Sequence, residues 1–489
     1  MNNLFSKVYF TLLVLLSSSA VNAQFSRYWS ESFSTKSALL SGAVVGGYQD
    51  ESSIYYNPSI LSDSSVNQFS FANGLAKVDY IQYENAMGSD LDISNWESSV
   101  DPGFISLNLY PKGKYDLVWK AAFFNRSKFD NSFEEEVKFT EDVFTQIPGN
   151  EQYIGKIRTR TEYNDYWYGL GIAKFINDDL SIGISAFARY TSLRYNYEKI
   201  TEIGTTSSDS ALQKVAINAN QLNTRGFTWR GTFKIGLNYR VNDKLRAGLT
   251  ITTPSFSIFG NAAGTVNVSK VNIPNGVDGG LLPDYFYDGS SSDMNMKIRD
   301  PLSIALGLDY KLPNLRWNLT MEWFGGLKPY KMIDQEEGAV NFIKTTVVPD
   351  NGSDVLSYAA GGKSLVNIAL GLEIYNENNR SILVGFKTDF DALNGFDYED
   401  LSHLSTLENT ASNFYHFSAG KSFSFLKYDV LFGLQYSISR QKNLPAFANF
   451  SSPVTLNTSN PYDLEGPIQN NMKFKGDVLI LFVGLTLKN

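Results

Sequence analysis

No cysteine occurs anywhere in this sequence. That removes disulfides, thiolate metal sites and attachment of a lipid through an N-terminal cysteine. Histidine is almost as scarce: only His403 and His416 are present. Positive charge is in deficit, because 42 basic against 50 acidic residues leave a formal charge of −8. A nucleic-acid partner requires the opposite balance. Beyond the N-terminus no apolar run approaches the ~20 residues that a membrane-spanning helix needs. Catalytic signatures are missing too. There is no Gly-x-Ser-x-Gly elbow and no His-Glu-x-x-His pair, and the Gly-Lys-Ser tripeptides at Gly362 and Gly420 lack the upstream glycine of a phosphate loop. Asn413, His416 and Ser418 lie close enough in sequence to suggest a barrel hydrolase, but their spacing establishes no triad. Asp389, Asp391, Asp397, Glu399 and Asp400 suggest calcium, yet Leu393 stands where an EF-hand loop needs a ligand. The expectation is no enzyme activity, no cofactor and no metal.

What is present begins with an export signal. Lys7 precedes an apolar stretch from Val8 to Leu16, followed by Ser17 to Ser19 and the tripeptide Val21-Asn22-Ala23. This is the pattern of a secretory leader over residues 1–23, with cleavage leaving Gln24 at the new N-terminus. The stretch is too short for a spanning helix. An exported chain of this size without disulfides must be held by other means, and a closed hydrogen-bonded barrel suffices. The mean hydropathy of −0.20 does not oppose this, because lipid-facing and lumen-facing residues alternate along a barrel strand and cancel.

From about Val66 onward that alternation is explicit. Trp317, Leu319, Met321 and Trp323 alternate with Asn318, Thr320 and Glu322, and Val366 to Ile374 and Phe233 to Tyr239 repeat the pattern. Connection lengths alternate as well. Short links fall near Pro111 to Lys114, Asn177 to Asp179, Asn242-Asp243, Pro313-Asn314, Asn376 to Asn379 and Phe425. Long polar stretches intervene near 84–103, 130–152, 200–224, 261–296, 328–362, 391–413 and 441–471. Tight periplasmic turns paired with long external loops characterise outer-membrane barrels. The sequence therefore predicts an all-β protein, a transmembrane antiparallel β-barrel of about fourteen strands over residues 66–489.

The inward parity carries Arg189, Lys234, Arg240, Arg246, Asp309, Glu322, Glu373, Lys387, Asp389 and Gln435, together with glycines at 169, 171, 183, 236, 248, 307, 371, 385 and 433. Glycine repeated on one face of a strand signals close approach by other backbone or a ligand. The expected occupant is residues 24–65, a stretch without sustained alternation that carries Gly42, Gly46, Gly47 and Asp50 before Asn57-Pro58-Ser59. It should act as a lumenal plug, with Asn57 capping the bend and Pro58 marking the point where the chain leaves the lumen.

Here the sequence resembles the FadL-type outer-membrane transporters of long-chain fatty acids and other hydrophobic compounds. That family opens with a small-residue and acidic segment leading to an Asn-Pro-Ala signature in an N-terminal hatch, and a fourteen-stranded barrel follows. Asn57-Pro58-Ser59 departs only at its third position, and Thr253-Pro254-Ser255 and Asp300-Pro301-Leu302 add to the likeness. The resemblance implies passive uptake of a hydrophobic small molecule across the outer membrane of a Gram-negative bacterium, with a side opening and a hatch controlling passage. It leaves open a structural or partner-binding role, as in the FadL-like barrels of the type IX secretion machinery. The partners implied are outer-membrane lipid, a hydrophobic ligand and, under the alternative, a second membrane protein. Phe187 is a candidate for apolar lining. Arg189, Lys234, Arg246 and Lys387 face the lumen, where they either pair a ligand carboxylate or form a network holding the hatch, the reading favoured here.

Overall fold

The computed structural model describes residues 22–48, 51–63, 69–110, 117–144, 149–205, 215–274, 280–335, 341–344, 354–376, 380–393, 395–402, 404–405, 411–425, 428–453 and 464–487. Period-two sequence becomes strand almost throughout. The strands are β1 (Asn22–Arg27), β2 (Phe69–Glu84), β3 (Ile93–Tyr110), β4 (Val118–Glu141), β5 (Glu151–Phe175), β6 (Leu180–Thr205) and β7 (Val215–Arg240). They continue as β8 (Leu245–Thr252), β9 (Phe256–Val271), β10 (Tyr285–Met296), β11 (Ser303–Lys311), β12 (Leu315–Phe324), β13 (Leu327–Asp334) and β14 (Asn341–Lys344). The last are β15 (Tyr358–Gly362), β16 (Leu365–Asn376), β17 (Arg380–Asp389), β18 (Asp391–Leu393), β19 (Phe414–Phe425), β20 (Tyr428–Leu444) and β21 (Met472–Leu487). Between β1 and β2 lie two short helices, α1 (Thr35–Leu39) and α2 (Ser53–Tyr56), and a 3-10 turn at Pro58–Asp63. No helix among the described residues is long and apolar enough to cross a membrane.

The ladders are antiparallel and follow one another round a circuit. Strands β2 to β8 pair in sequence, β8 pairs with β11, and the series runs on through β12, β16, β17, β19, β20 and β21. Strand β21 then pairs with β2, placing Tyr83 opposite Phe474 and Glu84 opposite Lys473, and the sheet closes as a barrel. At the far end of this seam Glu84 accepts hydrogen bonds from Lys473 (3.2 Å) and Lys475.

The tight links form for a shared chemical reason. Asn177 Oδ1 accepts from the N–H groups of Asp179 (3.0 Å) and Leu180 (2.8 Å), and Asn242 Oδ1 accepts from Lys244 and Leu245 (both 2.9 Å). In each link a side-chain amide replaces the missing turn of backbone. The links expected near Pro111 to Lys114, Asn376 to Asn379 and around Phe425 fall wholly or partly outside the described residues.

Nineteen strands belong to the sheet among the described residues, more than the number expected, and the surplus comes from stretches that read as polar loops. Strand β9 pairs with the outer half of β7, β10 pairs with β9, β13 and β14, and β13 pairs with β15. Tyr285–Met296 is rich in serine and aspartate, yet Tyr287, Met294 and Met296 turn inward and are buried. The strand expected over Lys244 to Gly260 breaks at Thr253-Pro254-Ser255. Pro254 has no N–H for a ladder; β8 ends beside it, and β9 moves onto the outer half of β7 while β8 pairs with β11. Residues up to 21 of the expected leader lie outside the described residues, and Asn22 pairs with Leu393 in a separate ladder of β1 with β18.

Burial is inverted relative to a water-soluble protein. Arg189, Arg230 and Lys387 are among the largest fully buried side chains, whereas Leu170, Leu306, Trp317, Leu370 and Phe432 are exposed. The outward face is a band of aliphatic and aromatic residues, and the inward face is polar.

Candidate permeation site

Residues 28–48 and 51–63 fill the space enclosed by the strands, and most of them are buried. The inward glycines make this possible. A Cβ at Gly248 would collide with the carbonyl oxygen of Val45, and one at Gly307 would collide with the backbone nitrogen of Gly46. Any side chain there would expel this turn of the segment from its seat. The segment contributes its own glycines: Gly42 and Gly47 have φ of +80° and +138°, which ordinary side chains resist.

Asn57 is the segment's internal clasp. Its Oδ1 accepts from Ser59 N (3.1 Å) and Ser59 Oγ (2.6 Å), while its Nδ2 donates to Val45 O (2.9 Å) and to Leu237 O of β7 (3.1 Å). One amide thus joins two stretches of the segment to the wall and leaves no polar valence unmet. Pro58 differs from expectation: it opens the 3-10 turn instead of marking the exit toward β2, because its fixed φ and missing N–H suit the first position of a helical turn. Asp50 lies outside the described residues.

Asn57→Ala should remove all four bonds and loosen the segment by about 2–4 kcal/mol, taking ~1 kcal/mol for each bond lost, while the wall ladders stay intact. Hydrogen exchange should show faster exchange in residues 51–63 and unchanged protection in β16 and β17. Loss of protection in both places would contradict this local role.

The lumenal cations are engaged by protein groups. Arg246 Nη1 lies 2.6 Å from Asp63 Oδ2, Lys387 Nζ donates to Trp29 O (2.6 Å), and Lys234 Nζ stands 4.1 Å above the Tyr55 ring. Arg189 donates to Asp165 Oδ2 and to Asp300 Oδ2, both at 2.7 Å. Arg230 closes the square by donating to Asp165 Oδ1 (3.1 Å) and to Asp300. Two buried arginines and two aspartates therefore balance one another, tying β5, β6 and β7 to the connection before β11, as buried charge requires. Sequence reasoning found Arg189 and missed Asp165 and Arg230, although both share the inward parity. Phe187 is buried within a cluster of Phe33, Tyr55, Phe124 and Trp167, against the segment, so it packs as core rather than lining open space.

His416 does not join Asn413 and Ser418. Its Nδ1 lies 2.6 Å from Ser437 Oγ, and its Nε2 is 3.7 Å from Asp389 Oδ2, too long for a hydrogen bond. Ser418 Oγ instead donates to Leu39 O (2.9 Å), and Asn413 Oδ1 accepts from Asp391 N (3.0 Å).

One stretch of wall is open. Strands β3 and β4 pair only between Ile105–Tyr110 and Trp119–Phe123. Farther out, β3 continues against β2 alone and β4 against β5 alone. The two edges meet again where Asn95 Nδ2 donates to Ser132 O (2.7 Å). Pro102 sits on the open edge of β3, and β2 is bulged at 72–77 beside it. A narrow cleft runs inward from this window. Its lining is mixed: Glu97, Ser99, Ser127 and Phe129 form the rim at the edges of β3 and β4, Phe414, Phe474 and Ile480 add apolar surface, and Arg27, Glu31, Lys77, Asp79, Lys128 and Asp130 add charge.

No protein-family model matches this chain, and no curated protein sequence does. Solved structures do. The Pseudomonas putida toluene transporter TodX is similar over 94% of this chain and 99% of its own, at 13% identity and a TM-score of 0.54. A Pseudomonas aeruginosa FadL homologue is similar over the same shares, at 11% identity and a TM-score of 0.54. The chain therefore has the fold of the FadL-type transport barrels.

Proposed function

We propose that this chain is an outer-membrane channel for passive uptake of small hydrophobic compounds, which pass into the barrel and leave sideways through the window between β3 and β4. The observation that carries this reading is that window, an unpaired interval in an otherwise hydrogen-bonded wall. It supports the reading because a hydrophobic solute gains nothing by crossing into periplasmic water, whereas a lateral exit delivers it to lipid. In this reading the circuit from β2 to β21 comprises fourteen membrane-spanning strands, and β9, β10, β13, β14 and β15 extend it outside. Residues 24–65 are the plug.

Charge at the plug bears on the ligand. Arg189, Lys234, Arg246 and Lys387 all have protein partners, which favours uncharged compounds over long-chain fatty acids. TodX is a toluene transporter, and compounds of that kind are our first candidates here.

Mass spectrometry of the protein after mild detergent extraction tests the choice of role. Retained hydrophobic small molecules support uptake, while a stoichiometric membrane-protein partner without them supports the type IX-like alternative. Membrane placement makes a further prediction. Leu370 faces outward and is 47% exposed, so Leu370→Arg should cost ~2–4 kcal/mol of folding free energy in a bilayer if it lies near the midplane. Gly371, its inward neighbour, contacts Leu40 and should respond to added volume instead. Refolding titrations into lipid vesicles check this; equal tolerance of arginine at both positions would contradict the assigned facing.

A further inference from the structure

The outer face of β6 and β7 carries an arrangement that uptake does not explain. Going outward from the aliphatic band, represented by Ile184 and Ile235, the two strands present Tyr190 paired with Trp229, then Ser192 with Phe227, then Arg194 with Arg225. The rings form a continuous patch, with Tyr190 to Trp229 at 5.2 Å and Phe227 to Phe259 at 6.1 Å between centroids. Such aromatic girdles mark the edge of the hydrocarbon layer. The arginine pair lies four residues farther along each strand, ~13 Å at ~3.3 Å per residue, or ~10 Å of height at the usual strand tilt. That is the level of lipid headgroups.

Like charges directly opposite on a sheet repel, and on a chain with net charge −8 this pair stands out. Arg194 is 3.6 Å from Glu162, which also pairs with Arg160 at 2.7 Å. Arg225 is exposed and has no carboxylate partner among the described residues. Beside the pair runs a groove lined by the small residues Ser192, Gly226, Ala263 and Ser292 and, on the Arg194 side, by Glu162. The geometry points to a site for the phosphate of an outer-leaflet glycolipid of the lipid A type. The phosphate bridges Arg194 and Arg225, whose forked donors match its oxygens, and the acyl chains lie on the aromatic patch. This rests on the membrane placement proposed above.

The test uses the full-length protein in nanodiscs, with native mass spectrometry following titration by diphosphoryl lipid A, its dephosphorylated form, or inorganic phosphate. The parent should bind diphosphoryl lipid A. The double variant R194Q/R225Q should bind it roughly tenfold more weakly or worse, and the dephosphorylated lipid should not bind specifically. K156Q/R158Q, which removes two cations that pair with Glu134 on the neighbouring strand and do not touch Glu162, should bind like the parent, and heat-modifiable gel migration shows that each variant is folded. Equal binding by parent and R194Q/R225Q, or saturation by inorganic phosphate at the same concentrations, would overturn the site. Failure of the parent to insert into nanodiscs would overturn the membrane placement itself, a result distinguishable from loss of lipid binding by inserted protein.

Discussion

Deletion of residues 24–63 should convert a closed protein into a large, steady pore. The segment meets the wall on every side: Asn238 Nδ2 donates to Gly46 O (2.8 Å), Thr250 Oγ1 to Tyr56 O (2.9 Å), Arg126 to Tyr28 O (3.0 Å), and Tyr48 donates to Glu373 (2.8 Å). Ser41 and Ser418 are in hydrogen-bond contact across the opposite wall at 2.8 Å. None of these bonds belongs to the strand-to-strand ladders, so the wall should survive their loss. What remains would be a polar lumen lined by glycine and charged residues, which water can fill. In planar bilayers the deletion variant should conduct roughly tenfold more than the parent, or higher, as expected for an unobstructed barrel of this size. A variant as closed as the parent would show that another part of the chain blocks the lumen.

A bulky group in the window should stop lateral exit and leave the axial path through the barrel open. The chain contains no cysteine, so a single introduced thiol is labelled cleanly. Ser127 lines the cleft rim on β4, where the ladder to β5 is already irregular between Asn125 and Ser127. Ser127→Cys alone should transport like the parent. After reaction with a bulky maleimide, uptake of an uncharged hydrophobic compound should fall by roughly an order of magnitude, since the compound must cross at van der Waals distance from the rim. Ion conductance of the plug-deleted protein carrying the same label should be nearly unchanged, because ions travel along the barrel axis. Loss of both would place the label in the axial path and contradict a separate side exit.

Much of this arrangement is legible in the sequence because period and turn chemistry are local. Asn177 and Asn242 announce their turns, alternation assigns facing, and inward glycines such as Gly248 and Gly307 foretell a backbone packed against them. What is illegible depends on partners distant in sequence. Parity places Arg189 and Asp165 inward, but nothing nearby says that they meet Arg230 and Asp300 in one square. Strand β10 looks like a loop because most of its outward residues are serine, aspartate or asparagine, and only packing against the interior reveals it. Pro58 reads as an exit bend, yet the same backbone serves equally well to start a 3-10 turn. The window has the faintest signal of all. A missing ladder leaves no mark on composition beyond Pro102.

Transport itself is the most direct test of the proposed role. Uptake of a radiolabelled, uncharged hydrophobic compound should be measured in intact cells that contain this protein as their principal outer-membrane route, against matched cells without it. Accumulation should be faster and saturable when the protein is present. Equal accumulation in both, with the barrel verified as folded in the outer membrane, would contradict a role in uptake.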